Sequence, residues 1–580
     1  YGRGRQGENL FEPMNSLKQC LPSRRLSQAP YNSFQLHNFI VSRYLTLRMA
    51  VDDRQSATKA AGVVSFAVML SRVLGLLRDL LFAALFGAGR NMDAFIIAFR
   101  APNLLRDLFA EGALSTAFIT TFSRKIATEG DGSAWRLAAK MATLTTVFMS
   151  LISILGVVFA DPLIGFLAPG FDPAKKELAV LLTQVMYPFI LLVSLAALVM
   201  GMLNAKHRFG IPALASSFFN IGSILGGVVI GYLLDPKFGA RSLFGLAIGT
   251  LIGGLMQLGV QLPSLKSVGF RFRPDFRWRD PGVAEVLYLM APAVISSSAV
   301  LVNVTINGMF ASELGDGPVT WLNNAFRLVQ LPIGVFGVAI STVTLPLVSK
   351  SAAVRDHDAF RVILARALRL AFFLTIPSTI GLVFLARPII QLLYERGRFL
   401  PHDTLETASV LQFYAIGLAA YSGIKVLAPA FFAIGKKNTP MVISFMSIGA
   451  NLLLNWIFTF HFGFGQRGLA LSTGLVAVTN FLLYYVMMRA HSRRLETWRL
   501  LNSAFRMCMA GLAMALICWA GNRFWISAAR GRLQEIVALG CVISVAGLAY
   551  LGLTFLLRLE EMQDILAIVK RKLFGRLESA

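Results

Sequence analysis

Stretches of about 20 apolar residues recur from Ala60 to Leu557 with only short polar breaks between them, and this spacing restricts the fold more than any motif does. About 20 residues of helix cross a hydrocarbon layer of about 30 Å. Within that layer each backbone amide must find its partner in a helix or a closed barrel, and the two-residue alternation of barrel strands is absent. The chain therefore reads as an all-α polytopic membrane protein. Its composition, 56% hydrophobic and 15% charged over 580 residues, fits a protein whose solvent is the bilayer.

Hydropathy predicts about fourteen transmembrane helices. They fall near 60–86, 92–122, 136–160, 176–203, 212–234, 243–265, 283–312, 318–348, 360–386, 405–434, 440–462, 468–488, 501–522 and 534–557. An even number puts both termini on one side. Loops after even-numbered spans, among them KSVGFRFRPDFRWRD and SKSAAVRDHDAFR, hold about 19 Lys and Arg against about 12 in the other set, so both termini are expected in the cytoplasm. Residues 1–48 are polar and lack the apolar core of a signal peptide; they read as a disordered tail or an upstream extension, with Met49 as the natural start.

The formal charge of +25 suits basic loops beside an anionic leaflet, and no aromatic-basic motif for nucleic acid accompanies it. Cys20, Cys508, Cys518 and Cys541 form no paired spacing, and the six histidines form no metal motif. No nucleophile elbow, phosphate-binding loop or dinucleotide fingerprint occurs, so the chain is read as a non-enzyme without a cofactor. Glycine-rich pieces such as GTLIGG read as close helix packing.

The chain also repeats itself. AFR at Ala98–Arg100 returns at Ala325–Arg327, Tyr187 at Tyr414, and NAKHRFGIP around Pro212 matches IGKKNTP around Pro440. The offset is 227 or 228 residues, or six spans, which predicts two pseudo-symmetric six-helix halves in the same orientation. The organisation expected is a first lobe over 49–270, a second over 271–490, helices 13 and 14 over 491–560, and a basic cytoplasmic tail over 561–580. Parallel halves point to a transporter with its site between them.

Charges inside the first two spans give that site content. SRVLGLLRDLLFAALFG carries Arg72, Arg78 and Asp79. A charge at the centre of a membrane helix costs about 2.5 to 3.5 kcal/mol on insertion scales, so such residues face a bundle interior or a wet cavity. At 100° per residue Arg72 and Asp79 lie about 20° apart, while Arg78 points away from them. In DAFIIAFRAPNLLRDLFAEG, Asp93, Arg100, Asn103, Asp107 and Glu111 share one face, Arg106 lies beside it, and Pro102 interrupts the helix. The plain alternative is pairing, Arg72 with Asp79 and Arg100 with Asp107. Arg72, Arg78, Arg106 and Arg327 together exceed what pairing explains, and guanidinium groups suit a phosphate because they donate two parallel hydrogen bonds.

SRVLGLLRD, GAGRNMDAF and APNLLRDLFAEGALSTAF resemble the bacterial lipid II flippase family, the MviN/MurJ type within the multidrug/oligosaccharidyl-lipid/polysaccharide exporter superfamily. The resemblance runs from about Met49 to Leu557. It implies movement of an undecaprenyl-pyrophosphate-linked peptidoglycan precursor from the cytoplasmic to the periplasmic leaflet of the inner membrane by alternating access, driven by a coupling ion or the membrane potential. It makes Arg72, Arg78, Arg106 and Arg327 the substrate-binding residues and Asp79, Asp93 and Glu111 cavity acids; the polar face of the second span adds Arg100 and Asn103 as further cavity positions. It implies the lipid-linked precursor, membrane lipids and cell-wall synthesis proteins as partners, and a lipid-tail groove for helices 13 and 14. The chain departs from the family at Phe326 and Gln330, where some members have acids. Two alternatives stand beside this reading: a drug or polysaccharide exporter of the same superfamily, which would not need four cavity arginines, and a membrane glycosyltransferase, for which the loops are short.

Overall fold

In the computed structural model, the described residues are 62–64, 66–108, 114–436, 438–492, 495–564 and 566–567; among them every regular element is helical. The expectations for residues 1–48 and for Glu111 lie outside these residues. Ten helices are long and apolar enough to cross a bilayer, or eleven if Pro401–Ile416 and Leu418–Ala433, bent by 44°, form one span. This is fewer than the fourteen expected.

The three remaining spans are the first, second and seventh of those expected. The helix over 66–86 contains Arg72, Arg78 and Asp79 and is too charged to pass as an ordinary apolar span. The expected 92–122 span holds the helix Arg90–Leu105, with Pro102 inside it and a wide π turn over 106–108, and, beyond residues 109–113, the helix Ser115–Glu129. The expected 283–312 span is the 32-residue helix Pro281–Ser312.

Helix boundaries recur at nearly the sequence offset. Pro173 and Ala205 bound one broken helix and Pro401 and Ala433 bound another, each 228 residues later. The breaks also correspond, at Tyr187–Pro188 in one and Gly417 in the other. Arg90–Leu105 is matched by Pro318–Pro332, and Asp131–Val158 by His357–Phe384.

The matched helices are fastened by different chemistry. Gly210–Leu234 and Leu243–Gly259 meet through glycines: a Cβ on Gly222 would lie 2.8 Å from Gly253 Cα, and one on Gly226 would lie 2.6 Å from Gly249 Cα. GTLIGG is indeed a packing surface, where lost side chains let backbones approach in the absence of a hydrophobic driving force. Asn438–Trp456 is instead tied by amides to Pro281–Ser312. Asn451 Nδ2 donates to Asn303 Oδ1 at 3.1 Å, and Asn455 Nδ2 donates to Asn307 Oδ1 at 2.7 Å.

The last two long helices, Thr497–Ala520 and Arg532–Leu556, pack on His357–Phe384. Tyr550 donates its hydroxyl to Phe373 O at 3.0 Å. Buried Arg369 gathers Glu496, Glu560 and Glu561 at 3.3, 3.0 and 2.7 Å, so the segments at both ends of this helix pair are anchored on one guanidinium.

Candidate functional site

The helix over 66–86 is held on the first-lobe side by a small contact. Gly75 leaves room for Asn220, whose Nδ2 donates to Ser71 O at 3.2 Å. Its charged residues then reach toward Pro318–Pro332 and the π turn Ile333–Val338 that follows. Arg78 Nη2 donates to Asp79 Oδ1 at 2.9 Å and its guanidinium lies 5.7 Å from the centre of the Phe219 ring. Asp79 Oδ2 lies 2.7 Å from Arg327 Nε, an ion pair without the alignment of a hydrogen bond. Asp79 thus bridges two arginines that lie about 250 residues apart in the chain.

Arg72 takes neither oxygen of Asp79. Its guanidinium lies on Gly334, where a Cβ would stand 2.8 Å from Cζ. The expected Arg72–Asp79 pair is therefore replaced by Arg78–Asp79–Arg327. Likewise, Asp107 pairs with Arg106 at 2.9 Å and accepts from Asn103 Nδ2 at 3.4 Å, and the Arg100–Asp107 pair does not form. Arg100 instead crosses to Pro281–Ser312, where Nη1 donates to Val304 O at 3.4 Å beside Gly308.

Arg78 keeps 12% of its side chain exposed, less than Arg327 and Arg106 do. Those two keep 38% and 21% of their side chains exposed, so solvent or a ligand can reach them. Among the described residues, Asp79 sets one carboxylate against two guanidinium groups, Arg78 and Arg327, which leaves a positive excess around it, while Arg106 pairs with Asp107. Tyr394 is fully buried, and its hydroxyl has no hydrogen-bond partner among the described residues.

Asp93 stands elsewhere. It is fully buried and accepts from Gly317 N at 2.7 Å, Thr320 N at 2.9 Å and Thr320 Oγ1 at 2.6 Å, so it caps the Pro318–Pro332 helix from another part of the chain. Lys175 Nζ, also buried, lies 3.2 Å from Asp93 and 2.9 Å from Asp316. Asp93, expected as a cavity acid, has both oxygens engaged in this latch. Nearby, Gly170 donates to Ser312 Oγ at 3.2 Å, and Arg398 N donates to Ala84 O at 2.9 Å.

The departures at Phe326 and Gln330 have local accounts. Phe326 packs on Tyr414 with ring centres 5.3 Å apart, and Gln330 is exposed. Sequence reading missed Lys175, Thr320, Asp316 and Tyr394. Lys175 sits in PAKKE, a run that reads as an ordinary surface turn before a helix. Among the described residues no three His, Cys, Asp or Glu side chains gather as a metal site.

A family model described as "Lipid II flippase MurJ" matches residues 82–533. The "Probable lipid II flippase MurJ" of Vibrio cholerae is 33% identical over 523 residues, covering 87% of this chain and 97% of that protein. The "Lipid II flippase MurJ" of Burkholderia cenocepacia is 34% identical over 508 residues, with 86% and 97% covered. A solved "Lipid II flippase MurJ, inward closed conformation" superposes with a TM-score of 0.68 at 28% identity, covering 83% of this chain and 97% of that one. An inward-facing multidrug resistance MATE family transporter shares the fold, with a TM-score of 0.61 at 16% identity over 74% of this chain and 98% of its own. With more than three-quarters of its length matched by the family model, this chain belongs to the lipid II flippase MurJ family.

Proposed function

We propose that this multi-span protein of the bacterial inner membrane moves lipid II from the cytoplasmic to the periplasmic leaflet by alternating access, with Arg72, Arg78, Arg106 and Arg327 receiving the pyrophosphate. The observation that carries the assignment of residues is the positive excess around Asp79, drawn from helices separated in sequence and still exposed in part. A pyrophosphate supplies the missing negative charge and offers paired oxygens to each planar guanidinium. Asp79 then holds Arg78 and Arg327 in place while the site is empty.

Alternating access needs two bodies that rock about the site. The repeated helix boundaries support lobes at 49–270 and 271–490, with 491–560 forming an added helix pair suited to a lipid tail. The Asp93–Lys175–Thr320 latch, the Gly170–Ser312 bond and the Arg398–Ala84 bond all lie beside loops that follow odd-numbered spans. These loops are the poorer set in Lys and Arg, which supports a periplasmic position for the latched end and cytoplasmic termini. Opening toward the periplasm then requires Asp93 to leave the helix end it caps.

Complementation of a flippase-depleted bacterium, with the lipid-linked precursor assayed separately in each leaflet, tests this reading. The wild-type chain restores precursor to the periplasmic leaflet. Restored growth without translocation, or no restoration by correctly inserted protein, would overturn it.

A further inference from the structure

A cavity with a largely apolar lining and a polar rim lies away from the arginines, where four helices end together: Ala339–Ala353, His357–Phe384, Leu418–Ala433 and Gln466–His491. Its volume of about 340 Å³ is at the lower end for a small-ligand site. The floor is buried, with Met488 and Phe360 0% and 3% exposed, whereas Lys436, Asp356 and His491 form an open rim.

Its polar groups divide into donors and acceptors. Ser492 is 3% exposed, and its hydroxyl has no hydrogen-bond partner among the described residues, an unmet need that a ligand oxygen would satisfy. Lys436 brings an ammonium to the same cavity. On the acceptor side, Asp356 uses Oδ1 to cap Ala359 N at 2.9 Å, which leaves its other oxygen available. His491 Nδ1 lies 2.8 Å from Met487 O; a carbonyl only accepts, so Nδ1 carries the proton and Nε2 of the neutral ring is an acceptor. One cation, one carboxylate, a free hydroxyl and two imidazoles, His491 and His357, complement a zwitterion better than a simple anion. Exposed Val354 and Phe432, next in chain to the rim, offer apolar contact to a molecule rooted in the bilayer.

We propose that this cavity holds the headgroup of an aminophospholipid from the adjoining leaflet, its phosphate on Lys436 and Ser492 and its ammonium on Asp356 and His491. The site is separate from the arginine cluster and does not depend on the transport reading. Occupation ties the ends of four second-lobe helices to the membrane surface.

Native mass spectrometry on the full chain, titrated in parallel with phosphatidylethanolamine, phosphatidylglycerol, O-phosphoethanolamine and inorganic phosphate, tests the proposal. Phosphatidylethanolamine should be retained about tenfold more tightly than phosphatidylglycerol, the scale of one charge-assisted hydrogen bond. The Lys436→Ala, Ser492→Ala pair should weaken both lipids by at least that factor. Asp356→Asn keeps a capping side chain and should erase the preference for phosphatidylethanolamine while leaving the melting temperature unchanged. Equal retention of the two lipids by the wild type, or unchanged binding in the double variant, would overturn the site. Retention of O-phosphoethanolamine or inorganic phosphate as strong as that of the lipid would overturn the lipid as its occupant.

Discussion

Asp79 and Asp93 lie on consecutive helices and each joins the first part of the chain to the Pro318–Pro332 helix, yet their surroundings are opposite. Asp93 is fully buried and meets four donors, Gly317 N, Thr320 N, Thr320 Oγ1 and Lys175 Nζ. Asp79 keeps 12% of its side chain exposed and meets two arginines, Arg78 and Arg327, with a single carboxylate. A saturated carboxylate makes a joint. An outnumbered one leaves a place for a second anion. The contrast teaches that buried charge in a membrane helix has to be judged by its balance, because either arrangement satisfies the rule that such charges face the protein interior.

The largest effect that can break this contrast is at the joint. Asp93→Ala removes one partner of a buried pair and leaves Lys175 with Asp316 alone, and should cost about 3 to 5 kcal/mol in stability. Thermal unfolding in detergent measures it, and a shift no larger than that of an exposed pair would mean that the latch carries no load. Asp93→Asn, which still caps Thr320 but lacks the charge, should fall between the two.

At the arginine cluster the expected order reverses. Arg72→Lys, Arg78→Lys and Arg106→Lys should each lower translocation by about tenfold or more, because an ammonium replaces a two-donor fork, while stability changes by less than about 1 kcal/mol. A loss of stability that tracks the loss of transport would return these residues to a structural role.

The smallest effect sharpens the comparison without touching a charge. Gly334→Ala puts a methyl group where the Arg72 guanidinium lies, and the far end of that flexible side chain has to move. Translocation should fall a few-fold with the melting temperature nearly unchanged, as expected when a ligand-positioning group is displaced by a fraction of an ångström to about 1 Å. Unaltered transport would mean that the position of Arg72 is unimportant.

The spans were legible because lipid demands long apolar helices, and the repeat was legible because matched helices keep matched lengths. The exceptions were also the informative ones: the 66–86 and 92–122 regions depart from apolar regularity through Arg72, Arg78, Asp79, Pro102 and Arg106. Nothing local separated Asp93 from Asp79, since each is an acid in a polar stripe with helical spacing. Their partners come from distant segments, Lys175 lying 82 residues from Asp93 and Thr320 lying 227 residues away. The pairings expected within one helix, Arg72 with Asp79 and Arg100 with Asp107, failed for the same reason. Gly334 and Gly308 on other helices provide flat seats for Arg72 and Arg100, and a missing side chain leaves no signal of what lies over it.

Arg327→Lys tests the central claim most directly, because Arg327 joins Asp79 from the second half and is the most exposed member of the pair. Leaflet-resolved translocation of the lipid-linked precursor should be measured at matched membrane expression, together with the melting temperature. A phosphate-binding guanidinium predicts that translocation falls by about tenfold or more while the protein stays as stable as the wild type, since the lysine still pairs with Asp79. Wild-type translocation by the lysine variant would contradict the account and leave the cluster as a second joint between the helices.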